Sequence, residues 1–193
     1  MFYTFCGGAL IGSSKILTAA HCFVGENNVI LAICKGYTYL QDLTDKYAVA
    51  ASIRNMARQE EPHEQWRPIH NVRYPPSYKF PQHDIAVVFV LTPYTLNNLV
   101  KPIAIANTYE NYEGYCLVSG YGEISNKVSS DTLMKGYVLI LANEKCPRIT
   151  QYRNLDYNIC TSAIGAEIGR FLRPWCLLGL SAVFQVREIQ EAL

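Results

Sequence analysis

A dominant charge of either sign is missing from this sequence. Seventeen Lys and Arg stand against sixteen Asp and Glu in 193 residues, a formal net charge of +1. No basic stripe is available to hold nucleic acid, and no cationic surface to hold an anionic membrane. Also missing is any Cys-x-x-Cys pair among the seven cysteines, which argues against a zinc site or a thioredoxin-like motif. The most apolar run, Trp175 to Val186, falls well short of the roughly 20 residues that span a bilayer as a helix, so no transmembrane segment is expected. The opening Met1-Phe-Tyr-Thr-Phe-Cys6 has neither a basic stretch, an apolar stretch nor a small-residue cleavage site, and is not read as a signal peptide.

What is present is a chain with 50% hydrophobic residues, enough to bury a core in one domain or in two small lobes. Disorder is excluded by that composition. The cysteines point to a disulfide-bonded, extracellular protein, and their odd number leaves at least one thiol without an internal partner.

Short apolar runs from Gly8 to Thr18, from Val29 to Cys34 and from Asp84 to Leu91 predict strands, the last stopped by Thr92-Pro93. Arg58 to Arg67 and Tyr74 to Tyr78 read as surface loops. Tyr115 to Gly120, Leu133 to Leu141 and Tyr157 to Thr161 are further strand candidates, so the pattern is that of an all-β barrel or sandwich. After Thr161 the texture changes. Val183, Val186, Ile189 and Leu193 recur as one apolar face of a helix, and Val183 to Leu193 is predicted helical.

The most informative stretch is Cys6-Gly7-Gly8-Ala9-Leu10-Ile11-Gly12 followed by Ile16-Leu17-Thr18-Ala19-Ala20-His21-Cys22. A histidine acting as general base needs a fixed ring in a half-buried place, and a disulfide on the next residue supplies such an anchor. Were Cys6 bonded to Cys22, the closed loop of about 15 residues would contribute about 3 kcal/mol in the chain-entropy model. Taken alone, His21 reads more readily as a structural or solvated histidine, and without His21 the plain reading of Asp84 is a strand cap.

Together these two stretches resemble the second and third strands of the trypsin and chymotrypsin family of serine proteases. By that resemblance His21 matches the general base. Gln82-His83-Asp84-Ile85-Ala86-Val87-Val88 resembles the strand entry presenting the buried aspartate, so Asp84 matches the residue that orients the imidazole and stabilises its cation. Histidine before aspartate is that family's chain order, unlike subtilisins and α/β-hydrolases. Asn71 to Tyr78, Lys101 to Ala106 and Tyr115 to Gly122 are similar to the segment leading to the aspartate, the crossing between barrels and the strand opening the second barrel. The resemblance implies disulfides Cys6–Cys22 and Cys146–Cys160 and covers about the first 162 residues. It implies a double antiparallel β-barrel within one trypsin-like domain over 1–193. Residues 1–100 match the first barrel without its opening strand, 101–162 match a second barrel lacking its last three strands, and 163–193 form a tail without resemblance. No metal or organic cofactor is implied, because this chemistry uses side chains and backbone N–H groups.

The departures are equally specific. The family's nucleophile sits in Gly-Asp-Ser-Gly-Gly-Pro, whose glycines let backbone N–H groups face the oxyanion, and no such stretch exists here. The stand-in is Ser181, in Cys176-Leu-Leu-Gly179-Leu180-Ser181-Ala182, where Leu180 replaces the aspartate and Ala182 the glycine; the plain alternative is a buried or surface serine. The family's activated start, Ile-Val-Gly-Gly, which pairs with that aspartate, is absent too. Cys34, Cys116 and Cys176 are left unassigned, Cys116 matching a position whose family partner lies beyond the serine motif.

Three functions compete on these grounds. The chain is an active serine endopeptidase using His21, Asp84 and a serine of the tail; or a homologue without activity that binds a protein or peptide partner; or a truncated or frame-altered product of a protease gene. Substrate preference is unreadable without the strands of the specificity pocket.

Overall fold

Alternation of burial shows where the sheet has an inside. Lys15-Ile16-Leu17-Thr18 buries Ile16 and Thr18, and Ala86 to Val90 buries every second residue. The two segments pair antiparallel with Ile16 opposite Val88, both fully buried, as half-buried strands with period two should. The structure, a computed structural model, describes residues 2–26, 38–54, 56–57, 61–80, 82–107, 114–121, 123–125, 128–141, 160–163 and 183–189.

The described elements are strands β1 (Phe2–Gly12), β2 (Lys15–Thr18), β3 (Val24–Glu26), β4 (Thr38–Leu40), β5 (Lys46–Ala50), β6 (Met56–Ala57), β7 (Gln65–Arg73) and β8 (Ala86–Val90). They continue as β9 (Gly114–Gly120), β10 (Glu123–Ser125), β11 (Val128–Ser129), β12 (Met134–Leu141), β13 (Cys160–Ala163) and β14 (Val183–Ile189). One turn of 3-10 helix spans Ala20–Cys22. The chain divides into two units, one drawn from Met1–Ser52, Met56–Ile103 and Ser181–Leu193, the other from Ile53–Asn55 and Ala104–Leu180.

In the first unit the sheet order is β14-β5-β7-β8-β2-β1-β6, and β14 also pairs with β1. With β6 on the outer edge of β1, the other strands form a closed antiparallel ring. Its interior holds Leu10, Ile16, Phe23, Ala48, Val88 and Val100, all wholly buried. Phe5 meets Phe23 edge-on at 5.8 Å between ring centroids. Tyr94, also buried, donates its O–H to the Ala48 carbonyl at 2.8 Å and so ties the segment after β8 to β5. Neither β5 nor β7 was named from the sequence, and the predicted loop Arg58 to Arg67 gives way to β7 at Gln65. Two left-handed residues, Asp45 at φ 61° and Ala51 at φ 60°, bracket β5.

The helix predicted for Val183 to Leu193 is not formed over its described part, where Val183–Ile189 is strand β14. Strands β1 and β5 would each present an edge of unpaired N–H and C=O groups, and one extended segment satisfies both ladders at once. A helix would satisfy only itself. Val183, Val186 and Ile189 are β-branched and fit a pleated ladder, so tertiary pairing overrides the helical spacing. The strand predicted from Val29 to Cys34 lies outside the described residues.

The second unit contains the antiparallel sheet β13-β12-β9, in which Val138 lies opposite both Cys116 and Ala163. One face buries Cys116, Val138 and Ile140, while Tyr115 and Tyr137 of the other face are exposed. Among the described residues this core is far smaller than that of the first unit.

Two outcomes follow for the first unit. A Cβ added at Gly8 would stand 2.7 Å from Ile16 Cγ2 and 2.8 Å from the Leu17 carbonyl oxygen, so Gly8→Ala should lower stability in urea by about 1–3 kcal/mol. Burial pushes the Tyr94 phenol far above its ordinary value near 10. A raised folded value leaves its contribution intact below about pH 10 and removes it as pH rises further, because only the unfolded phenol ionises there. Tyr94→Phe should therefore flatten the alkaline fall in stability while lowering neutral stability by about 1 kcal/mol, through the lost hydrogen bond to the Ala48 carbonyl.

Candidate active site

His21 is placed by the end of β2. After Thr18 the strand stops, and Ala19-Ala20-His21-Cys22 closes a single 3-10 turn through the Phe23 N–H to Ala20 carbonyl bond at 2.9 Å. Ala20 and Cys22 are buried and His21 is turned outward. Cys22 is bonded to Cys6 of β1 across a Cα–Cα distance of 6.1 Å. Beside that bridge the buried Thr18 hydroxyl donates to the Gly7 carbonyl at 2.7 Å. The segment bearing His21 is thus fastened to β1 at two neighbouring residues, once covalently.

Asp84 approaches from the loop entering β8. His83, just before it, takes a left-handed conformation at φ 54°, and its Nδ1 lies 3.0 Å from the Ser77 carbonyl. The Asp84 carboxylate meets His21 at two points. Its Oδ1 accepts the His21 backbone N–H at 2.8 Å, and its Oδ2 lies 3.0 Å from Nδ1 of the ring. The side chain of Asp84 is 5% exposed and that of His21 is 38% exposed. A carboxylate only accepts, so the neutral ring carries its proton on Nδ1 and Nε2 becomes the basic nitrogen. Phe80 packs edge-on against the imidazole at 6.1 Å.

This arrangement can take a proton at Nε2 and stabilise the resulting cation through Asp84. It is not a metal centre as it stands. The donor atoms of Cys6, His21 and Cys22 lie within 4.8 Å of one another, yet the two sulfurs are spent in a disulfide and offer no thiolate.

Of the residues singled out in the sequence, His21, Asp84, Cys6 and Cys22 come together. Ser181, Cys146, Cys34 and Cys176 lie outside the described residues. Cys160 falls in β13, and whether it is bonded to Cys146 also lies outside them. Cys116 is a buried, unbridged cysteine in the second unit. The sequence reading missed three contributors: Thr18, Phe80 and His83. Thr18 lies just ahead of His21, but nothing in sequence marks its bond to Gly7, and no pattern announces the left-handed turn at His83.

Comparison with known proteins gives the class. Residues 2–169 match the trypsin family model, and the chain belongs to the trypsin family. Kallikrein 1-related peptidase b16 of Mus musculus is 28% identical over 180 residues, covering 85% of this chain and 60% of that protein. Kallikrein-8 of Rattus norvegicus is 25% identical over 169 residues, covering 84% and 57%. The chain therefore spans about three fifths of the length of the curated relatives it matches. A solved structure titled neuropsin, a serine protease expressed in the limbic system of mouse brain, shares the fold with a TM-score of 0.61 at 22% identity, over 84% of this chain and 68% of that one.

Replacing Asp84 by alanine removes both acceptors of His21 and leaves its backbone N–H without this partner. Urea unfolding of Asp84→Ala should show a loss of about 2–3 kcal/mol, the size expected when hydrogen bonds to a charged group are deleted at a largely buried position.

Proposed function

We propose that the chain carries the general base and its orienter from a serine-type endopeptidase site, and that in these 193 residues the pair acts without a nucleophile. On this reading the lineage is one of peptide-bond hydrolysis, and the chain is a serine protease homologue that engages a protein or peptide segment without cutting it. The observation that carries the first half is the two-point contact of Asp84 with His21 at 2.8 and 3.0 Å. In such a site the serine hydroxyl would lose its proton to Nε2 as it attacks the carbonyl carbon, and Asp84 would hold the imidazolium in place.

The second half rests on the sequence. Gly-Asp-Ser-Gly-Gly-Pro occurs nowhere in it, and around Ser181 the neighbours that would shape an oxyanion site are Leu180 and Ala182. A leucine supplies no carboxylate to fix that turn. The bridge between Cys6 and Cys22 supports an oxidising, extracellular setting.

A fluorophosphonate probe tests the reading directly, because it labels only a serine activated by a neighbouring base. Incubation with the purified chain should leave every serine unlabelled, with no hydrolysis of peptide substrates above background. Label on Ser181, or on any other serine, would show instead that the chain is a working endopeptidase with its nucleophile in the tail.

A further inference from the structure

The strand that closes the first unit is also joined to the histidine. In β14, Val186 lies opposite Cys6 of β1 on one side and Ala48 of β5 on the other; Gln185 lies opposite Gly7 and Val49. Those two β1 residues are the ones tied to the segment bearing His21: Cys6 is bonded to Cys22, and the Gly7 carbonyl accepts the Thr18 hydroxyl. Two successive rungs of β14 therefore land on both fastenings of the histidine. On the opposite flank, β14 borders Ala48, whose carbonyl receives the buried Tyr94 hydroxyl.

We propose that β14 is a positioning strand for the His21–Asp84 pair, seated in the groove between β1 and β5. Occupation of the groove holds Cys6 and Gly7 in place, and through them the turn presenting His21 to Asp84. Release of β14 frees those two residues from one ladder and loosens the pair without touching either member.

Amide hydrogen exchange of the full chain tests this, because the His21 N–H is itself the proton bonded to Asp84 Oδ1. Val186→Pro removes a ladder donor from β14 and should speed exchange of the His21 amide by about tenfold or more, together with amides of β1 and β5, while β9 and β12 keep their protection. Gln185→Pro, at the rung opposite Gly7 and Val49, should act in the same direction. If neither proline variant folds, the parent chain decides: its His21 amide should exchange no more slowly than the amides of β14. An unchanged His21 amide in a folded proline variant, equal loss of protection in β9 and β12, or a His21 amide that outlasts those of β14 in the parent chain would overturn the proposal. The readout involves no catalysis, so it stands or falls apart from the fluorophosphonate result.

Discussion

The bond between Cys6 and Cys22 is the constraint on which the site depends. It joins the middle of β1 to the residue after His21, at the place where β2 ends and the chain turns outward. A 3-10 turn of this length has no stability of its own, because fixing its dihedrals yields one or two hydrogen bonds at most. Its conformation is imposed from outside. The bridge holds one end, the Thr18 hydroxyl on Gly7 holds the strand before it, and Asp84 takes hold of both the backbone and the ring of His21.

That local clamp works only if β1 is itself immobile, and β1 is fixed by the ring it belongs to. Each of its flanks is paired, with β2 and β6 on one side and β14 on the other. The interior behind it is filled by Leu10, Ile16, Phe23 and Val88, all with no exposed surface. Order in the site is in this sense borrowed from the barrel. The second unit, with its small buried cluster around Val138 and its exposed Tyr115 and Tyr137, has no comparable interior among the described residues.

Much of this was legible in the sequence where local pattern and global fold agree. The alternation through Ile16 and Thr18, the β-branched run at Ala86 to Val90 and the cysteine beside His21 each have a short-range physical signature. The family resemblance added what no local pattern carries: that His21 and Asp84, far apart in the chain, belong together. Illegible were the features decided at long range. Strand β14 reads as a helix by spacing, and only the two edges waiting at β1 and β5 make it a strand. Strand β5 carries a lysine and a tyrosine in five residues and lacks an obvious apolar run, although Ala48 and Val49 are wholly buried. The left-handed turn at His83, which aims Asp84, is a backbone fact without a residue code.

A trypsin-family chain with a well-held His21–Asp84 pair and no Gly-Asp-Ser-Gly-Gly-Pro stretch separates two things that usually travel together. The geometry of the pair is a property of the first unit; hydrolysis requires a serine and an oxyanion site besides. The central claim is that Asp84 fixes the state of the His21 ring in this chain. A long-range proton–nitrogen NMR correlation of the ring at neutral pH measures it. A proton on Nδ1 and a bare Nε2 are the expected result; a ring protonated mainly on Nε2, or one averaging between the two forms as in a solvated histidine, would contradict a hold by Asp84.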